Sequence, residues 1–305
     1  ISLYFNLSEI YAYFYSEPIL CYALENIVQE EVMPELPEVE LIRSMLEKRV
    51  LNKRISKSEI IDIKAIAKPE PALFGKALLG RKILSIGRKA KYLIFKFDDT
   101  SKLIIHLRMT GNLIYIDGSS NLIIKSDENG LPRHARVIFN FDDGTRLFFC
   151  DQRKFGRLWF YGNGENYTSC GINRLGPEPL SAEFSEDYLC KQLAKTQRQV
   201  KTVLLDQSVI SGIGNIYSDE MLFKAGILPQ TRACDISDER AHLLHDAINE
   251  VIAHAIKANR SSIEAYMLGA SEQYSDLEDM NVYQKAGKKC KICGAEIEKL
   301  KIAGR

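Results

Sequence analysis

The sequence predicts an α+β multidomain chain. An antiparallel β-sandwich built around one helix is followed by a helical half and a short cysteine-bearing tail. Three observations carry this. Between residues 80 and 161 the apolar residues fall in short runs rich in Ile, Leu, Phe and Tyr, separated by turn residues such as Asp143-Gly144. Beyond residue 176 the spacing changes to the three-and-four pattern of amphipathic helices. A chain of 305 residues is also long enough to bury two cores.

The elements follow in order. Residues 1–32 are apolar and aromatic, but Glu9 and Glu17 interrupt them. They lack a basic leading region and offer no run of the ~20 apolar residues a membrane helix needs. Position 1 is not Met, and Met33 opens Met-Pro-Glu-Leu-Pro-Glu-Val-Glu. The expectation is an upstream reading frame joined to a natural start at Met33, with Pro34 exposed once Met33 is removed. Val39, Ile42 and Leu46, with Leu41 and Met45 beside them, predict a helix over 37–50, and Pro37 and Glu38 suit its first turn. Strands are predicted at Tyr92–Phe97, Lys102–Leu107, Asn112–Ile116, Ala135–Phe141, Thr145–Cys150 and Arg157–Tyr161. Gly162–Gly176 is rich in Gly and Asn and reads as a linker. Helices are predicted over 182–195, with acids in the first turn, and over 237–257, with Ser237 as N-cap. Residues 285–305 carry seven basic side chains against Glu296 and Glu298.

The net charge of +1 hides an asymmetry: residues 1–32 hold five Glu and no Lys or Arg, so residues 33–305 carry +6 (+1 minus −5). That modest excess is compatible with a phosphate-tracking protein and equally with ordinary solubility. Cys21, Cys150, Cys170, Cys190 and Cys234 have no framework spacing, which suits a reducing cytoplasm. Cys290 and Cys293 differ: the C-x-x-C spacing places two thiolates on one metal.

A series of motifs in chain order resembles one family. The octapeptide at 33–40 is similar to the start of the formamidopyrimidine-DNA glycosylases. Gly87-Arg88-Lys89-Ala90-Lys91-Tyr92-Leu93 resembles their lysine segment. His106–Gly111 and Asp151–Gly156 resemble their two DNA-inserting loops. Leu175–Leu180 resembles the interdomain hinge, Gly212–Tyr217 the centre of the helix-two-turn-helix module, and Cys290–Gly294 the opening of a zinc ribbon. The similarity covers residues 33–305. It implies an extension at 1–32, a catalytic β-sandwich domain at 33–162, a linker at 163–177, a helix-two-turn-helix DNA-binding domain at 178–280 and a partial zinc-finger region at 281–305.

The resemblance also implies roles. Pro34, as a free secondary amine, is the nucleophile that leaves an imine to DNA. Glu35 is the general acid, with a carboxyl raised toward neutrality. Glu38 is either a neighbour that helps raise it or a surface acid complementing the helix N-terminus. Lys91 assists excision, and Arg305 the second elimination. Met109, Arg153 and Phe155 fill the gap left by an extruded base. His134, Arg153, Asn215 and Lys195 contact DNA. Two departures stand out: Thr196 replaces a common DNA-contacting lysine, and 269–277 diverges from the usual base-capping loop. One structural zinc is implied at Cys290 and Cys293, with half its ligands missing from a chain that stops at Arg305.

The implied protein is a cytoplasmic, monomeric, bifunctional glycosylase and abasic-site lyase acting on oxidised purines in double-stranded DNA, with no membrane role. An endonuclease VIII-type enzyme for oxidised pyrimidines is the first alternative, against which Leu36 argues. A non-catalytic DNA-binding protein, with Pro34 acylated, is the second.

Overall fold

A computed structural model describes residues 33–117, 130–267 and 280–302. The expectations for residues 1–32, for 269–277 and for Arg305 concern positions outside the described residues. Among those described, no helix is long and apolar enough to cross a membrane.

Helix α1 (Leu36–Val50) buries Leu36, Val39, Leu41, Ile42, Met45, Leu46 and Val50, the face predicted from spacing. Nine strands follow: β1 (Ile55–Ile60), β2 (Ile66–Lys68), β3 (Ile83–Lys89), β4 (Tyr92–Phe97), β5 (Lys102–His106), β6 (Gly111–Ile116), β7 (Ala135–Phe141), β8 (Arg146–Asp151) and β9 (Arg157–Tyr161). One sheet has the order β1-β7-β8-β6, the other β2-β9-β5-β4-β3. Ile55, Phe139, Phe141 and Leu147 of the first sheet meet Ile83, Phe95, Phe97, Leu103 and Ile105 of the second in a shared interior. Period-two alternation sends Phe95 and Phe97 inward and Tyr92 and Ile94 to the opposite face.

Two expectations need correction. The sandwich is not wholly antiparallel, because β2 runs parallel to β9. Nor is it served by one helix, since α2 (Pro71–Leu78) packs on β1 and β2, burying Phe74 and Leu78. The stretch read as a linker carries local structure. Two short 3₁₀ turns, Thr168–Cys170 and Ile172–Arg174, set Cys170 and Ile172 against Tyr92, Trp159 and Tyr161 on the outer face of the second sheet. The Tyr92 hydroxyl donates to the Cys170 carbonyl at 3.0 Å.

The helical half comprises α3 (Glu186–Ala194), α4 (Val200–Leu204), α5 (Asn215–Lys224), α6 (Asp238–Ala258) and α7 (Arg260–Met267). Ser185 and Ser237 cap α3 and α6, each accepting from the backbone N–H three residues on. Phe184, inside the helix predicted over 182–195, precedes α3 and stacks on His245 of α6. Helix α1 packs on β3 and β4 and also on α6 and α7, so it ties the sandwich to the helices.

A candidate active site at the sandwich–helix seam

Site geometry begins with two acids at the entrance of α1. Glu35 and Glu38 are essentially inaccessible, at 1% and 0% exposure. This corrects the reading of Glu38 as a surface acid. The Glu35 carboxylate accepts from the backbone N–H of Ile216 at 3.0 Å and from that of Gly214. These donors belong to the start of α5, whose N-terminal dipole favours a negative partner. Glu38 reaches back to accept from the Glu35 N–H at 2.8 Å through Oε2. Its Oε1 accepts from the Tyr217 hydroxyl and, at 3.1 Å, from Asn259 Nδ2.

The turn Gly212-Ile213-Gly214 permits this approach. Gly212 adopts φ +97, and a β-carbon there would lie 2.6 Å from Leu36 Cδ1. A β-carbon on Gly214 would lie 2.3 Å from Glu35 Oε1. Only hydrogen fits at either position. The Leu36 N–H closes the seam by donating to the Gly212 carbonyl at 3.0 Å.

Burial raises the Glu35 carboxyl to about 7. The charge of Glu38 acts in the same direction, while Lys91 and the two N–H donors oppose it. Burial likewise raises Glu38, against the donors from Tyr217, Glu35 and Asn259. The Tyr217 phenol is pushed well above its usual range by burial and by Glu38. Lys91 sits in the β3–β4 turn, next to Ala90 at φ +49, and is 7% exposed. Its charge also acts on His106, whose imidazole is held well below its usual range, first by burial and then by Arg108 and Lys91. The neutral ring accepts the Arg108 N–H on Nδ1 at 3.0 Å.

Met109 and the pair Arg153 and Phe155 lie on two loops joined by a buried acid. Asp151 accepts from the Thr110 hydroxyl and from the Gly156 N–H at 2.7 Å, and Arg153 N–H donates to Thr110 Oγ1 at 3.0 Å. Arg153 and Phe155 are exposed, with the guanidinium 5.0 Å from the ring centroid, so the cation and the wedge are presented together. Met109 is half-buried. Arg108, His134 and Lys154 are non-glycine residues at φ 59, 62 and 61. Backbone strain of this kind gathers at working loops.

Asn215 is the first residue of α5, and its Oδ1 is buried without a hydrogen-bond partner among the described residues. Lys195 is exposed at the C-terminus of α3. The Thr196 hydroxyl is turned to the chain itself, accepting from Arg198 N–H at 3.2 Å.

In the tail, the Cys290 thiol accepts the Ile292 N–H at 3.4 Å. The N–H groups of Cys293 and Ile292 hold that thiol below its usual range. The turn is closed by Cys290 N–H to the Ala295 carbonyl at 2.7 Å. Glu220 anchors the segment before it, accepting from the backbone N–H of Asn281, Val282 and Tyr283 and from the Asn281 side chain. Among the described residues, Glu186, His245 and Asp246 form the one group that could gather three ligand atoms, within 4.8 Å of one another; both carboxylates are exposed.

Tyr217, Asn259, Thr110, Asp151 and Glu220 were given no role from sequence. The first, third and fourth lie inside quoted motifs. Asn259 and Glu220 carried no local signal.

A β-sandwich joined to a helical module through a buried carboxyl pair defines the class, and both parts are matched by family models. Residues 33–158 match the formamidopyrimidine-DNA glycosylase N-terminal domain, and 175–267 match the formamidopyrimidine-DNA glycosylase H2TH domain. The formamidopyrimidine-DNA glycosylase of Bacillus licheniformis is 40% identical over 274 residues, 90% of this chain and 96% of that protein. That of Bacillus subtilis shows the same identity and coverage. The Lactococcus lactis protein solved with DNA containing FAPY-dG is 35% identical, with TM-score 0.77, covering 89% of this chain and 96% of that one. The chain belongs to the formamidopyrimidine-DNA glycosylase family.

Proposed function

We propose that this chain excises oxidised purines, 8-oxoguanine and ring-opened formamidopyrimidines, from duplex DNA and then cleaves the abasic strand. The observation that carries the reading is Glu35: a fully buried carboxyl, raised to about 7, beside Pro34 and in the field of Lys91, in a chain of this family. A general acid is most effective when it titrates near working pH.

In this reading the Pro34 nitrogen, freed as a secondary amine, attacks C1′ of the damaged nucleotide. The N–C1′ bond forms, the C1′–base bond breaks, and its electron pair leaves with the base, which takes up a proton. Departure of the base is coupled to opening of the O4′–C1′ bond: Glu35 protonates O4′, and the Pro34 nitrogen, having given its proton to the departing base, is left as an imine to the sugar in its iminium form. β-Elimination and δ-elimination expel the 3′ and 5′ phosphates, and water hydrolyses the imine. Covalent catalysis of this kind divides one hard step into easier ones. With Met33 attached, the Pro34 nitrogen is an amide and carries no available lone pair.

Lys91 supports excision and strand cleavage. Met109, Arg153 and Phe155 occupy the space of the extruded base. Asn215, at a helix N-terminus, donates to a backbone phosphate, with His134 and Lys195 as further contacts. Arg305, outside the described residues, serves the second elimination. The Cys290–Cys293 turn, with its N–H-to-sulfur bond and lowered thiol, fits half of a tetrahedral structural zinc site; bound zinc would fix the tail. The protein acts as a monomer in the bacterial cytoplasm.

Oxidised pyrimidines are the competing substrate class. Single-turnover excision from matched duplexes carrying 8-oxoguanine, a formamidopyrimidine or an oxidised pyrimidine tests the reading. Faster excision of the two purine lesions is expected. A preference for the pyrimidine lesion would transfer the chain to the endonuclease VIII type.

A further inference from the structure

The structure assigns to Asn259 a positioning role: its side-chain amide holds Glu38 as the carboxylate that faces Glu35, and so sets the acid on which base excision depends. The assignment rests on the function proposed above. Asn259 follows α6 as its C-cap, at φ −78 and ψ 5, a conformation open to any residue. Its backbone N–H caps the helix by donating to the Ala255 carbonyl at 3.0 Å, so the side chain is not needed for the cap. That side chain turns inward and leaves the residue 2% exposed.

Nδ2 carries two hydrogens and has two acceptors: Glu38 Oε1 at 3.1 Å and the Tyr217 hydroxyl at 3.0 Å. Because the Tyr217 oxygen accepts from Asn259, its own hydrogen is directed to Glu38 Oε1. The Glu35 N–H supplies a third donor, to Oε2. These three donors, with the Glu38 backbone N–H as a fourth, converge on a group that, as a carboxylate, only accepts. A protonated Glu38 would bring its own O–H into that cluster of donors. The groups facing the acid pair come from every element around it. They are Lys91 from the β3–β4 turn, Tyr217 from α5, Asn259 from the end of α6, and the N–H groups of Gly214 and Ile216. Neutral His106 of β5 lies within the field of Lys91.

The consequence has a definite sign. Glu38 charge raises Glu35. Removal of the Asn259 donor shifts buried Glu38 toward its protonated form. Glu35 then loses that push and ionises at lower pH, and the general acid is lost earlier as pH rises. A hydrogen bond to a charged group is worth enough to move a protonation equilibrium by about tenfold, or about one pH unit.

Two variants test this. Asn259→Ala removes the donor but leaves space a water could fill; Asn259→Leu removes it and fills the space. The first readout needs no substrate. In a Glu35→Gln background, the infrared stretch of the protonated Glu38 carboxyl is followed against pH, and either variant should raise its midpoint by about one unit. The second is the pH profile of single-turnover excision with Glu35 intact, starting at Pro34. Its basic limb should move to lower pH by a similar amount, while binding to a duplex with a non-cleavable abasic analogue stays unchanged. Superposed titrations, or a fall in rate equal at every pH, would overturn the assignment. If the parent protein excises no damaged purine, the proposed function fails instead, and the infrared titration still decides Asn259.

Discussion

Gly214→Ala would place a methyl group where the Glu35 carboxyl lies. The added β-carbon would sit 2.3 Å from Oε1 and 2.4 Å from Cδ of Glu35. That is about 1 Å inside a normal contact of ~3.5 Å. Glu35 cannot swing aside freely, because it is buried and held by the N–H groups of Gly214 and Ile216. Losing either bond would strand a buried polar group at ~1–3 kcal/mol, and overpacking costs a similar ~1–3 kcal/mol. The cheaper path wins, so we expect a loss of about 1–3 kcal/mol and a fall of several degrees in Tm. Activity suffers more, since a displacement near 1 Å at a reacting group costs on the order of 10²-fold. The assay is single-turnover excision of 8-oxoguanine beside strand cleavage at a preformed abasic site, where no base is expelled and reaction can start from the ring-opened sugar aldehyde. Excision should fall about a hundredfold, and abasic-site cleavage by less. Excision equal to that of the parent, in a folded variant, would refute the placement of Glu35 against this turn.

Further expectations follow from the same geometry. Glu35 rises from 4.5 to about 7 on folding, so between those values the folded state holds more protons than the unfolded one. Stability should therefore fall as pH rises through that window, by up to ~3 kcal/mol, and level off above it. Denaturant titrations of Glu35→Gln should lose this slope and give a variant more stable than the parent at pH 8; an unchanged slope would count against burial of the charge. Affinity for duplex DNA should fall with salt at roughly −0.9 in log–log slope per phosphate contact. Asn215→Ala should weaken binding to any duplex, whereas Arg153→Ala should weaken binding chiefly where a base is missing or extruded; a salt-independent affinity would contradict both. Glu220→Ala removes the acceptor for the backbone of 281–283, and protease should then cut that segment faster, while an unchanged rate would mean the anchor is idle.

Much of the architecture was legible because it rests on local pattern. The runs at Tyr92–Phe97 and Ala135–Phe141 are dense in strand-forming apolar residues and coincide with β4 and β7. Ser237 was readable as an N-cap because its partner is three residues away. What was missed lacks such a signal. β1 (Ile-Ser-Lys-Ser-Glu-Ile) is a polar edge strand, β2 is three residues long, and α2 spans eight residues, too short for periodicity to declare itself. The Gly162–Gly176 stretch was judged by its Gly and Asn content, yet Cys170 and Ile172 find their core on strands Tyr92–Phe97 and Arg157–Tyr161. The site divides the same way. Glu35 and Lys91 lie in recognisable motifs. Glu38 could not be placed from sequence, because what buries it is Tyr217, 179 residues on, and Asn259, 221 residues on.

The central claim is that the Pro34 nitrogen bonds to the DNA sugar, and borohydride tests it directly by reducing an imine to a stable amine. Protein whose first residue is Pro34 is mixed with duplex carrying 8-oxoguanine, reduced, digested and mapped by mass spectrometry. We expect a covalent adduct on Pro34, and none there when Met33 remains attached. An adduct on Lys91 instead, or equal trapping at Pro34 in both forms without trimming of Met33, would contradict the account.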